Sequence, residues 1–150
     1  MRKPTGADPR KRKGLIIVHT GEGKGKSTAA FGLAMRAAGN KMNVFIMQFM
    51  KGPWKAGERK AFDLVKGKLN SGKFEMVIFE EINYVLDYKF LPEDEVLETI
   101  RNKPKMTHVV CTGRNASKKL IEMADLVTEM KMIKHPFAEQ GIPAQKGIEF

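Results

Sequence analysis

Between His19 and Gly32 the chain reads HTGEGKGKSTAAFG, and the residue types at Gly21, Gly23, Gly25, Lys26 and Ser27 are those that hold a polyphosphate. Glycines here can take positive φ, which turns successive backbone N–H groups into one concave nest for phosphate oxygens. Lys26 adds a mobile positive charge against the phosphates, and the Ser27 hydroxyl is placed to ligate a hard cation such as Mg²⁺ or Mn²⁺. One letter departs from the pattern G-x-x-x-x-G-K-[ST], since Thr20 stands at the first glycine.

Such a loop needs a strand before it and a helix after it, and both are legible. Leu15-Ile16-Ile17-Val18 is a β-branched apolar run, whereas Thr28 to Met35 is helix-forming, so the free amides and the positive end of a helix dipole converge on the loop. Similar apolar runs recur with helical segments between them, the signature of a parallel sheet with crossover helices. The spacing predicts strands over Leu15 to His19, Asn43 to Phe49, Phe74 to Phe79, Thr107 to Thr112 and Asp125 to Met130. It predicts helices over Lys26 to Ala38, Glu93 to Asn102 and Ser117 to Met123. The expected fold is α/β: a phosphate-loop NTPase-like, RecA-like, mainly parallel sheet of about five or six strands with helices on both faces.

Ligands of open parallel sheets collect at the carboxyl ends of the strands. The second strand delivers Gln48 to Trp54 there, the third Glu80-Glu81, the fourth Thr112-Gly113-Arg114. A carboxylate at the exit of a buried strand is where phosphate-loop proteins keep the group that binds the cation or its waters. Adjacent residues of an extended chain point to opposite sides, so one of Glu80 and Glu81 is expected to face the cation. Arg114 could reach a phosphate or an adenine edge, or serve as a capping or solvated arginine; the residues leave both open. Trp54 is either a loop anchor or a lid over a flat ligand, and the sequence favours the anchor.

Composition bounds the reading. A chain of 150 residues with 42% apolar content suits one hydrophobic core, so a single ATP-binding domain is expected over 14–150 behind a basic, flexible leader over 1–13. The one cysteine, Cys111, excludes an intramolecular disulfide and a cysteine zinc site, and the three histidines lack the spacing of a histidine metal site. No apolar run reaches a membrane span, and a cytoplasmic protein without membrane contact is expected. The net charge of +10 is concentrated in the leader, without the basic-aromatic interleaving that stacks bases, so no nucleic-acid partner is expected.

The assembled motifs resemble those of the phosphate-loop ATP:corrinoid adenosyltransferases. The resemblance lies in GLIIVHTGEGKGKSTAAFG from Gly14, QFMKGPWKAGER from Gln48, FEEINYVLDY from Phe79, CTGRNA from Cys111 and IKHPFAEQGIPAQKGIEF at the C-terminus. It implies transfer of the 5′-deoxyadenosyl group of ATP to a Co(I) corrinoid, with release of inorganic triphosphate and with Co(I), not a side chain, as the nucleophile. It also implies that Thr20, Gly21, Glu22, Gly23, Lys24, Gly25, Lys26 and Ser27 bind ATP with Arg36 and Arg114, and that Ser27 and Glu81 hold Mg²⁺; Trp54 is the candidate to meet the corrinoid in partial place of family aromatics that this sequence lacks. A homodimer and a flavodoxin or flavoprotein reductant are implied as well. Between Arg59 and Phe74 the sequence departs from the family, whose members carry a longer segment with aromatics proposed to press on the lower face of the corrin; Ala61 to Lys73 holds Phe62 and no Trp. Two other readings compete: a RecA-like nucleic-acid-dependent ATPase that uses the positive charge, and an ATP/corrinoid carrier that has lost its lid.

Overall fold

The computed structural model describes residues 6, 8–52 and 55–149; Trp54 lies outside them. Five strands form one all-parallel sheet in the order β2-β3-β4-β1-β5, with β1 at Ile16–Thr20, β2 at Val44–Gln48, β3 at Met76–Glu80, β4 at His108–Thr112 and β5 at Leu126–Glu129. β1 lies between β4, with Ile17 opposite Val110, and β5, with Ile17 opposite Leu126. Parallel neighbours need long crossovers, and these carry the helices α1 (Lys26–Gly39), α2 (Lys55–Asn70), α3 (Ile82–Asp87), α4 (Glu93–Arg101) and α5 (Lys118–Met123), with α6 (Pro136–Gln140) after the last strand. None of the helices among the described residues is long and apolar enough to cross a membrane.

Strand alternation divides the core in two. Ile17, Met76, Ile78 and Val110 face α1, which meets them with Ala30, Ala34 and Ala37, side chains small enough to let the helix sit close to the sheet. The opposite face carries Val18, Val77, Phe79, Val109 and Cys111 and is covered by Phe62, Val65 and Leu69 of α2, Val85 of α3, Val96 and Ile100 of α4, and Leu120 of α5. Helices thus lie on both faces, as expected. Cys111 is an apolar core residue, and burial pushes its thiol up to about 12.

The expected strands and helices are all present with ends moved by one or two residues. Three helices were not expected. α2 has an apolar stripe at Phe62, Val65 and Leu69, the spacing of one helix face, but Gly57, Gly67 and four lysines along its length mask the pattern in sequence. α3 and α6 are short, at six and five residues, too brief for a periodic signal.

Candidate nucleotide and cation site

Because all five strands run the same way, their carboxyl ends share one edge of the sheet, and the loops there build a single cleft. It is lined by residues 22–28 of the phosphate loop and first helical turn, Glu81 and Tyr84 after β3, Arg114 after β4, and His135, Ile148 and Glu149 from the C-terminal segment.

The loop has the shape its glycines permit. Gly21 has φ +100°, and a Cβ there would fall 2.5 Å from the carbonyl oxygen of Met130; one on Gly23 would fall 2.8 Å from the backbone of Lys131. The loop therefore lies directly on the chain leaving β5, where the Gly23 N–H donates to Met130 O at 2.7 Å. Thr20, at the position of the usual glycine, has a structural occupation: its Oγ1 accepts the N–H of Ala116 at 3.1 Å, tying the end of β1 to the loop between β4 and α5. Thr20 and Gly21 line a neighbouring groove, not the cleft itself.

Three cations line the cleft, each already engaged. Lys26 Nζ donates to the carbonyls of Gly21 at 2.8 Å and Gly23 at 2.6 Å. Burial holds its pKa below the usual lysine range, and the charge of Arg114 lowers it further. Lys24 pairs with Glu149 at 2.5 Å and Arg114 with Glu22 at 3.3 Å. Arg36 is not brought to the cleft; it is exposed in the last turn of α1, about 15 Å along the helix from Lys26 at the usual rise.

The two glutamates reach the same place by different routes. Glu80 shares a strand face with Met76 and Ile78, the face that α1 covers, so its Oε1 meets the first helical turn and accepts the Ser27 hydroxyl at 2.5 Å. Glu81 would point away if β3 continued, but its φ of 64° takes the backbone out of the strand, and its N–H donates to Thr112 Oγ1 at 2.9 Å. Alternation therefore does not separate the pair. Glu81 lines the cleft, and its pKa is pushed up to about 7 by burial first and by the neighbouring Glu80 charge second.

This donor set fits a divalent cation held jointly with phosphates. Ser27 and the two carboxylates are hard oxygen ligands, and Glu80 Oε2 is buried with no hydrogen-bond partner among the described residues. No cluster of three or more His, Cys, Asp or Glu among those residues is arranged to hold a metal unaided, which accords with the habit of Mg²⁺ of binding through one or two carboxylates plus substrate oxygens. Of the cleft's lining, Thr28, Tyr84, His135, Ile148 and Glu149 were not foreseen. Tyr84 and His135 both lie in motifs already conspicuous in the sequence, FEEINYVLDY and KHPF.

Sheet, loop and cleft define a phosphate-loop α/β nucleotide-binding protein. The family model described as "ATP:corrinoid adenosyltransferase BtuR/CobO/CobP" matches residues 12–65 and 59–150. The chain is 41% identical to the corrinoid adenosyltransferase of a Sinorhizobium species, over 92% of this chain and 81% of that one. It is 37% identical to the corrinoid adenosyltransferase of Pseudomonas aeruginosa, over 96% and 87%, and 33% identical to that of Escherichia coli K12, over 96% and 89%. The chain belongs to the ATP:corrinoid adenosyltransferase family. Neither the nucleic-acid-dependent ATPase nor the carrier finds support in these matches.

The alignments, at 174 to 178 positions, are longer than this chain's 150 residues, so the relatives carry residues with no counterpart here. The family match breaks and resumes over 59–65, within α2, which runs unbroken through that stretch. Within the short Arg59 to Phe74 segment, α2 thus continues to Asn70, and a brief turn leads from it toward β3.

Proposed function

We propose that this protein transfers the 5′-deoxyadenosyl group of ATP to the Co(I) centre of a corrinoid, releasing inorganic triphosphate, in cobalamin biosynthesis. The observation that carries the reading is the cleft in which the phosphate loop, Glu81 and Arg114 converge, in a chain of this family. Co(I) of the substrate supplies the electron pair for the new bond to C5′, the C5′–O bond breaks, and its electrons leave with the triphosphate. No side-chain nucleophile is required. The protein's part is to align C5′ with the metal of the corrinoid, exclude water and stabilise the charge that develops on the leaving group.

In this reading the loop amides, Lys24, Lys26 and Arg114 hold the triphosphate. Ser27 and Glu81 would hold Mg²⁺ or Mn²⁺, with Glu80 fixing the Ser27 hydroxyl; such an ion neutralises charge on the departing phosphates. Tyr84, beside Glu81, closes one wall. Trp54 remains the candidate for contact with the corrinoid. A homodimer, a flavodoxin or flavoprotein that supplies Co(I), and a cytoplasmic setting complete the proposal, all supported by resemblance to the family.

The deciding experiment is an anaerobic assay with Mg-ATP and chemically reduced cob(I)alamin, following the visible spectrum for adenosylcobalamin and assaying triphosphate. Equal amounts of both products are expected, and ATP binding without either product would overturn the proposal.

A further inference from the structure

The closing motif Lys134-His135-Pro136-Phe137 has no part in the reading so far, yet His135 lines the cleft beside the phosphate loop. Its ring is fixed from behind. His135 is the N-cap of α6, with Nδ1 accepting the N–H of Phe137 at 3.2 Å, while the backbone N–H of His135 donates to Glu139 Oε1 at 3.0 Å. A neutral imidazole whose Nδ1 is an acceptor carries its proton on Nε2. That nitrogen, at the far end of the ring from the cap, has no partner among the described residues.

The charged donors of the cleft are committed: Lys24 to Glu149, Arg114 to Glu22, Lys26 to two carbonyls. An incoming polyphosphate must exchange with each of those partners. An Nε2–H donor needs no such exchange. We infer that His135 is a substrate-contacting residue, whose Nε2–H donates a hydrogen bond to an oxygen of the triphosphate and tightens as the C5′–O bond breaks. The inference rests on the reading of the cleft as the ATP site.

Two substitutions separate this role from capping. His135→Asn keeps a side-chain acceptor suited to the N-cap and loses the distant donor, whereas His135→Ala loses both. Binding of inorganic triphosphate with Mg²⁺, followed by calorimetry, and kcat and KM for ATP are measured beside the melting temperature. His135→Asn is expected to melt with the wild type, to bind triphosphate about tenfold more weakly, as befits a lost hydrogen bond to a charged group, and to lower kcat more than it raises KM. Unaltered triphosphate binding and kcat in His135→Asn would overturn the inference, as would losses in His135→Ala that His135→Asn fully restores. A wild-type protein that binds neither ATP nor triphosphate would instead overturn the reading of the cleft on which the inference stands.

Discussion

At 7% exposure, with its ammonium folded onto the Gly21 and Gly23 carbonyls, Lys26 is poised to exchange two neutral acceptors for phosphate oxygens. Hydrogen bonds to charged groups are worth about 1.5–3 kcal/mol each, so Lys26→Ala is expected to weaken ATP binding by roughly ten- to a hundredfold in titration calorimetry. Normal nucleotide affinity in that variant would remove the loop from the mechanism. The two glutamates divide differently. If Glu81 holds the cation as proposed, Glu81→Gln should lower the Mg²⁺-dependent rate about tenfold more than Glu80→Gln, because a ligand then loses a full charge-assisted contact, whereas Glu80→Gln still presents an oxygen to Ser27. Equal effects would leave Glu81 without its assigned role. Residue types announced the pair, but not that both carboxylates reach the same site. That depends on the left-handed φ of Glu81, a conformation uncommon for a side chain other than glycine and invisible to alternation.

The family match breaks and resumes within α2, and the hold of this helix on the sheet rests on few side chains. Phe62, fully buried, is the largest of them, so Phe62→Ala is expected to cost about 3–5 kcal/mol in urea unfolding; a loss below 1 kcal/mol would mean that α2 is not docked as described. The edge strand is pinned by a carboxylate. Asp125, just before β5, accepts from Lys13 and from the Ile16 N–H at 2.9 Å, and the Lys13 hydrogen bond, with the backbone one behind it, holds its carboxyl below the ordinary Asp value of 3.8. A lowered acid stabilises the fold above the unfolded pKa and ceases to do so as pH falls through the folded one. Asp125→Asn should therefore melt earlier than the wild type at pH 7, by an amount on the order of 1 kcal/mol or less given the exposed lysine partner. The gap should close as pH drops below about 4. Strands were the legible elements, since Ile16-Ile17-Val18 and Met76-Val77-Ile78-Phe79 are apolar without interruption and need no partner to be recognised. α2 was not, because its stripe is one residue in three or four among charges, and it becomes a helix face only when the sheet is there to receive it.

The order of the strands, β2-β3-β4-β1-β5, follows from no local pattern. It places the first strand between the two that come last in sequence, and it puts the C-terminal segment against the loop of residues 22–28. Sequence periodicity therefore supplied the parts and the edge at which they would meet, while the contribution of His135 and Glu149 to the cleft emerged only from the assembled sheet. Synthesis gives this order a consequence. β1 leaves the ribosome before the other four strands, yet both of its sheet neighbours, Val109–Thr112 and Leu126–Glu129, lie far downstream of it in the chain. At about 5–20 residues per second, the nascent phosphate loop waits on the order of ten seconds with neither side of its strand paired. Chains arrested before β5 has emerged should fail to retain ATP, whereas those extended through the C-terminal segment should hold it.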